Sequence, residues 1–226
     1  MKNIIGLILF LNFLGIGCLF GQEEPVSLTA EQLFYAYFHN TGKTPADNEI
    51  NGFIAAVYPT EYRNSVNNEF SWRRLRQTAI DQLNTGIKNF NNDTLFYLQT
   101  NSEYNSYDFD HGGFPVILNN SLEFNLSSDY YTLLLTNNHQ FTMLKLNDDS
   151  AEELLKRSAG YFGYVDRSLI LIIVFKFSDF SSEDFRKFTA NRNGYYLHGL
   201  IKSVYVHKSI NAFDGTSWYV GELSGK

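Results

Sequence analysis

The chain has 226 residues, 44% hydrophobic and 19% charged, a globular composition with enough apolar side chain for a sizeable core. Its net charge of -6 gives no basic footprint for nucleic acid and disfavours attraction to anionic lipid or DNA. Aromatic residues reach 16%, which favours strands and, where they are exposed, contact surfaces.

The first residues, MKNIIGLILFLNFLGIGCLFGQEE, begin with a positive Lys2 and an apolar run from Ile4 to Leu14. Small residues follow at Gly15, Gly17 and Gly21, and Glu23 and Glu24 end the run. This is the pattern of an export signal over residues 1–21. The apolar stretch to Phe20 is near the lower limit of the about 20 residues that span a bilayer, so an uncleaved anchor is the alternative. Cleavage after Gly21 would leave Gln22 first, although Leu19 departs from the small-x-small rule. The other route is lipidation: GIGC resembles a bacterial lipobox, with Gly17 matching it and Gly15 standing where Leu is usual. Cys18, the only cysteine, would then carry the lipid. Either route leaves the folded part without cysteine, hence without a disulfide, a thiol nucleophile or a thiolate metal site. The expected location is periplasmic, cell-envelope or secreted. Membrane contact is expected only through a lipid at Cys18 or an uncleaved N-terminal segment.

Residues 22–28 read as a tether, followed by one α+β domain over 29–226, with a helical part over 29–91 and a sheet part over 92–226. The first helix starts at Thr29, with Gln32 completing a capping box, and stops at Gly42. Leu33, Phe34, Tyr37 and Phe38 form its apolar stripe. Thr44 and Pro45 open a second helix, with Ile50, Phe53, Ile54 and Val57 on one face and Pro59 ending it. A third runs from about Asn68 to Asn89, with Trp72, Leu75, Ala79, Leu83, Ile87 and Phe90 on one face and Gly86 weakening its end.

After Asn92 the period becomes that of strands. TLFYLQT, FPVIL, SLEFNL, YYTLLLT and QFTMLKL each read as one, and NNH between the last two as a hairpin turn. AEELLKRSAG is a short helix or a connection. SLILIIVFKF, apolar at nearly every position, is the central strand. DFSSEDFRKFTANRNG carries caps and turns, YYLHGLIKSVYVHKS is a long strand bent at Gly199, and the tail from Ile210 is irregular. Helices first and strands after argue an α+β fold, with about three N-terminal helices packed on a largely antiparallel sheet.

The densest cluster of chemistry is YDFDHGGFPV, Tyr107 to Val116. Asp108, Asp110 and His111 are the candidate metal ligands, with both aspartates on one face if the segment is extended. The later ligands of a calcium loop are missing. The expected structure is a turn, with Gly112-Gly113 permitting positive φ and Tyr107, Phe109 and Phe114 anchoring it in the core. His39, His111, His139, His198 and His207 show no metal-binding spacing, and the last two fall on opposite faces of a strand unless a bulge intervenes. Serines such as Ser106 lie near His111, which does not make a triad. Glu152-Glu153, Asp148-Asp149 and Glu183-Asp184 read as helix starts or turns. Arg73, Arg74 and Arg76, with Arg63 upstream, either hold a phosphate or carboxylate or form a wet helix face paired with Glu69 or Asp81. No nucleotide loop is present and no cofactor is expected.

The order YPTEY, NEFSW, then YDFDHGGFP resembles uncharacterised bacterial envelope or secreted proteins known only as domains of unknown function. The resemblance implies no activity and assigns no catalytic residue. The sequence therefore points to an exported, non-enzymatic binding or envelope-associated domain whose ligand is a protein or a small molecule. Two alternatives are a secreted hydrolase or metal-dependent enzyme with a site near Tyr107–Phe114, and a small-ligand protein with an aromatic-lined pocket between helices and sheet.

Overall fold

The computed structural model describes residues 24–126, 129–160, 164–178, 195–211 and 216–225, which form an α+β fold of five α-helices and nine strands. The expected leader with Cys18, the segment DFSSEDFRKFTANRNG and the Glu183-Asp184 pair lie outside the described residues.

Helix α1 (Ala30–Thr41) begins as its sequence dictates: Thr29 accepts from the Gln32 N–H, and the Gln32 side chain accepts from the Thr29 N–H. Gly42 ends it at φ 63°. Helix α2 (Asp47–Val57) starts later than the Thr44 cap implied. Pro45 disfavours helical backbone at Thr44, and Glu49 instead accepts from the Ala46 N–H at 2.7 Å. Pro59 ends α2 but also opens a helix not expected from the sequence, α3 (Pro59–Ser65), in the first-turn position that proline favours. Helix α4 (Glu69–Asn89) has the expected bounds, capped by Asn68, which accepts from the Ser71 N–H. Gly86 is a packing position: a Cβ there would lie 2.3 Å from the Tyr35 ring. Helix α5 (Asp148–Ser158), capped by Asn147, falls among the strands, so the helices are not confined to the N-terminal half.

The strands are β1 (Val26–Ser27), β2 (Phe96–Glu103), β3 (Gly113–Pro115), β4 (Ser121–Leu126), β5 (Asp129–Leu135), β6 (Met143–Lys145), β7 (Ser168–Ser178), β8 (Tyr195–Asn211) and β9 (Thr216–Ser224). They form one sheet in the order β1-β2-β7-β8-β9-β6-β3, with β5 joining β8 and β4 pairing β5. Among the described residues only the β1–β2 and β5–β8 pairings are parallel. Val26–Ser27, within the stretch expected as a tether, adds the edge strand β1, and the tail expected to be irregular supplies β9. Pro115 sits in the edge strand β3, where a missing donor costs nothing.

The long strand β8 is forked. Along one side it pairs β7; along the other it pairs β5 at Tyr195–Gly199 and β9 from Tyr205 onward. Asn137 fills the gap between them: its amide donates to the Ile201 carbonyl at 3.0 Å and accepts from the Ile201 N–H at 2.8 Å, as a strand residue would. The segment NNH is therefore not a hairpin turn, because β5 and β6 go to different neighbours and a 3₁₀ turn at Asn138–Gln140 separates them. The irregularity in β8 falls at Lys202, the extra residue between the pairs Phe175–Ile201 and Val174–Ser203, and not at Gly199. Gly199 is closely packed, since a Cβ would meet the Leu133 and Phe175 side chains at 3.1 Å.

Cross-strand rows define the two faces of the sheet. Leu98–Ile173–Val204 and Phe96–Phe175–Ile201 face the helices and are buried. Phe90 at the end of α4 packs on Phe96 and Phe177, Phe34 and Tyr37 of α1 pack on Tyr131, and Tyr37 also meets Tyr195. Burying a large apolar side chain stabilises by about 1.5–3 kcal/mol, so this face carries most of the stability. The opposite face has no helix over it among the described residues.

Candidate functional site

The Tyr107–Val116 segment is a self-satisfied turn. One Asp108 carboxylate oxygen accepts from the N–H groups of Asp110 and His111, both at 3.1 Å, and the other meets His111 Nδ1 at 2.8 Å. The His111 contact and these backbone bonds hold the Asp108 carboxyl below its ordinary value. Gly112 has φ +65°, and a Cβ on Gly113 would lie 2.5 Å from the Leu144 carbonyl oxygen, so both glycines are required by geometry. Phe114 is buried and Tyr107 donates to the Leu146 carbonyl at 3.0 Å, as anchoring requires. Phe109 departs from the expectation: it is 87% exposed and not part of the core. Asp108 and His111 are thus brought together, while Asp110 contributes only its backbone N–H to the cluster. Among the described residues no three His, Cys, Asp or Glu side chains converge as metal ligands.

The other candidates are dispersed. His39 Nδ1 contacts the Ile87 carbonyl at 2.9 Å and ties α1 to α4. His139 is exposed in the 3₁₀ turn, and Ser106 is exposed with no bond to His111. The bulge at Lys202 returns His198 and His207 to the same sheet face, but they stand nine positions apart along the strand, about 30 Å at the usual strand rise. Glu152 pairs with Lys156 and Glu153 with Arg157, while Asp148 and Asp149 occupy the first turn of α5. Arg76 pairs with Asp47 of α2 rather than with Glu69 or Asp81, and Asp81 accepts from Gln77 instead. Arg63 donates to the Pro59 carbonyl.

Two features escaped the sequence reading. The first is Lys208, 3% exposed at the end of β8. Its ammonium reaches the Asp166 carboxylate at 2.7 Å, the Ser168 carbonyl at 2.8 Å and the Asp166 carbonyl at 2.9 Å, which satisfies its three protons. Burial raises the Asp166 pKa, but the Lys208 bond and the Ser168 N–H and O–H bonds outweigh it, so that carboxyl lies below its ordinary value. The only sequence signal is phase: Val204, Val206 and Lys208 alternate on the buried side of one strand.

The second is the helix-free face. Two rows cross it: Gln99–Ile172–Tyr205–Glu222 and Asn101–Ile170–His207–Tyr219. Tyr219 is exposed, while Tyr205, His207, Ile170 and Ile172 are half-buried. The Tyr219 ring lies 5.6 Å from that of His207, and the Ser217 hydroxyl is 3.5 Å from its Nδ1. Burial lowers the His207 pKa, which favours the neutral imidazole with one donor and one acceptor nitrogen. Beside these rows an open groove of about 570 Å³ is lined by Asn101, Ser102, Glu103, Ser168, Leu169, Ile170 and Ser209. Its walls are polar and aliphatic.

Residues 46–157 match the model of a family described as a domain of unknown function (DUF4852). The match takes in α2 to α4, β2 to β6, the Asp108–His111 turn and nearly all of α5, and the resemblance to a family of unknown function holds over that stretch. No curated protein and no solved structure matches the chain.

Proposed function

We propose that the chain is an exported bacterial protein that works by binding rather than catalysis, with the helix-free sheet face as its binding surface. Export is supported by residues 1–21, whose positive start, apolar run and small residues near a cleavage point fit a leader. The observation that carries the binding reading is the make-up of the two open rows. Tyrosines, an imidazole and amides surround aliphatic Ile170 and Ile172, a mixture that suits contact with a partner more than bare solvent. Tyrosine offers wide contact area at low entropic cost, and the strands beneath hold it rigidly. The groove beside it suits the polar end of a ligand or a partner side chain.

The test is capture from a bacterial envelope fraction by the wild-type chain and by Tyr219→Ala and Tyr205→Ala variants. Specific partners that are retained by the wild type and lost by both variants support the reading. Capture that is indifferent to both substitutions, or turnover of a hydrolase substrate panel by the purified chain, would refute it. N-terminal sequencing of the expressed protein separates the export routes: a start at Gln22 indicates ordinary cleavage, a lipidated Cys18 indicates an anchored form, and an intact Met1 defeats both.

A further inference from the structure

We infer that the α3–α4 corner is a second contact surface, one that seats on a bilayer containing anionic phospholipid. It uses residues remote from the sheet rows and stands independently of the binding role proposed for them. Phe70, in the first turn of α4, is 80% exposed, and Val66, four residues earlier in the turn out of α3, is 54% exposed. Behind them the half-buried rings of Tyr62 and Trp72 meet edge-on at 5.8 Å, which fixes α3 against α4. The apolar pair therefore projects from a rigid corner rather than from a loose loop.

Its surroundings are cationic. Residues 63–76 contain four arginines and a single acid, Glu69, against a chain whose net charge is -6. Arg76 is paired with Asp47, but Arg63, Arg73 and Arg74 are exposed and have no carboxylate partner among the described residues. On α4, Arg73 and Arg74 stand three and four residues beyond Phe70, so they share its side of the helix. Unpaired guanidinium groups match phosphate geometrically, apolar side chains enter the headgroup–acyl boundary, and Trp and Tyr favour the interface. A projecting apolar tip rimmed by cations fits a fluid headgroup layer, which closes around it; a folded acidic protein would have to supply a matching pocket. The local charge is opposite in sign to the net charge behind the expectation against anionic surfaces.

The chain contains two tryptophans, so Trp218→Phe leaves Trp72 as a reporter inside this corner. The full chain is mixed with phosphatidylcholine vesicles, with or without phosphatidylglycerol, whose acyl chains are brominated near the headgroup. Trp72 fluorescence should be quenched by the anionic vesicles and not by phosphatidylcholine alone, whether or not the N-terminal segment is also inserted. Phe70→Ser should weaken the effect about tenfold or more, and Arg73→Gln and Arg74→Gln about fivefold each. Phe70, Arg73 and Arg74 are exposed, so these variants should melt with the parent protein. Trp72 left unquenched by vesicles that retain the chain would overturn the inference. So would quenching that survives all three substitutions, or arginine-dependent capture of an acidic protein without vesicle binding.

Discussion

The two faces of the central sheet share the same strands and the same hydrogen-bond ladder, yet they carry opposite chemistry. Under the helices stand Phe96, Leu98, Ile173, Phe175, Ile201 and Val204, all buried. One residue along each strand, the open face shows Tyr97, Gln99, Ile172, Ser203 and Tyr205, all exposed or half-buried. The alternation of a strand thus commits one face to stability and frees the other for contact. Exposed side chains on the open face, such as Tyr97, Gln99 and Tyr219, can change identity at little cost to the fold, whereas Val174, Tyr196 and His198 on the same face are buried.

Truncation on the covered face should have the largest effect. Phe175 is fully buried between β2 and β8 and touches Phe96 and Phe177. Phe175→Ala should cost about 3–5 kcal/mol of unfolding free energy, measured by urea denaturation. An equal loss from Tyr219→Ala, on the open face, would abolish the distinction between the faces.

Next in size is the Asn137 plug. Asn137→Ala leaves the N–H and C=O of Ile201 without partners in a buried gap, a loss of about 1–3 kcal/mol. Asn137→Asp keeps the acceptor for the Ile201 N–H but removes the donor, and should lie between alanine and the wild type near neutral pH only if the carboxylate reaches water. Amide exchange at Ile201 is the direct readout: it should accelerate in Asn137→Ala more than exchange at Val204, one bulge away. Uniform acceleration at both positions would show that the plug holds no local gap.

This position also shows what a sequence exposes and what it hides. The caps at Thr29, Gln32 and Gly42 were legible because a helix end depends on residues adjacent in the chain. The central strand β7 was legible because continuous apolar character has one explanation in a sheet. Asn137 was misread as part of a hairpin because its partner, Ile201, lies 64 residues on. Likewise α3 was hidden because Pro59 signals a stop and a start with the same residue. The strand β9 was missed because its run TSWYVGELS has no clean alternation, and its extra residue against β8 at Val220 shows why. At the candidate sites, the turn nature of Tyr107–Val116 was legible from its two glycines, while the exposure of Phe109 was not. The open face could not be read at all: which half of an alternating strand receives the helices is decided by tertiary packing.

A smaller effect should appear at the open rows. Tyr219→Ala should change stability by no more than about 0.5 kcal/mol, as exposed positions usually do, while abolishing the proposed partner capture. His207→Phe keeps the ring contact with Tyr219 and removes both nitrogens. It should fold normally and lose only the part of binding that needs a polar contact. If His207→Phe captured partners as the wild type does, contact through the tyrosines alone would suffice.

The smallest expected effects are two pH-dependent steps, one on each side of the sheet. Burial holds the His207 pKa below its ordinary value in the folded chain. As pH falls below about 6.5, the unfolded chain takes up a proton first. Stability contributed by the neutral imidazole is therefore present above that pH and declines as pH falls through the folded value. Asp166 follows the same sign lower on the scale. Its stabilisation through Lys208 and Ser168 is intact above the ordinary aspartate value of about 3.9 and is lost as pH falls through its depressed folded value. Thermal melts from pH 8 to pH 3 should resolve the two windows. His207→Phe should erase the upper step and leave the lower one, and Asp166→Asn should keep the upper step and shrink the lower one to the share that Asp108 contributes through His111. Partner capture should weaken with the upper step alone, because only His207 stands on the proposed contact face. Loss of capture that instead tracks the Asp166 window would place binding at the Lys208 corner and not on the tyrosine rows.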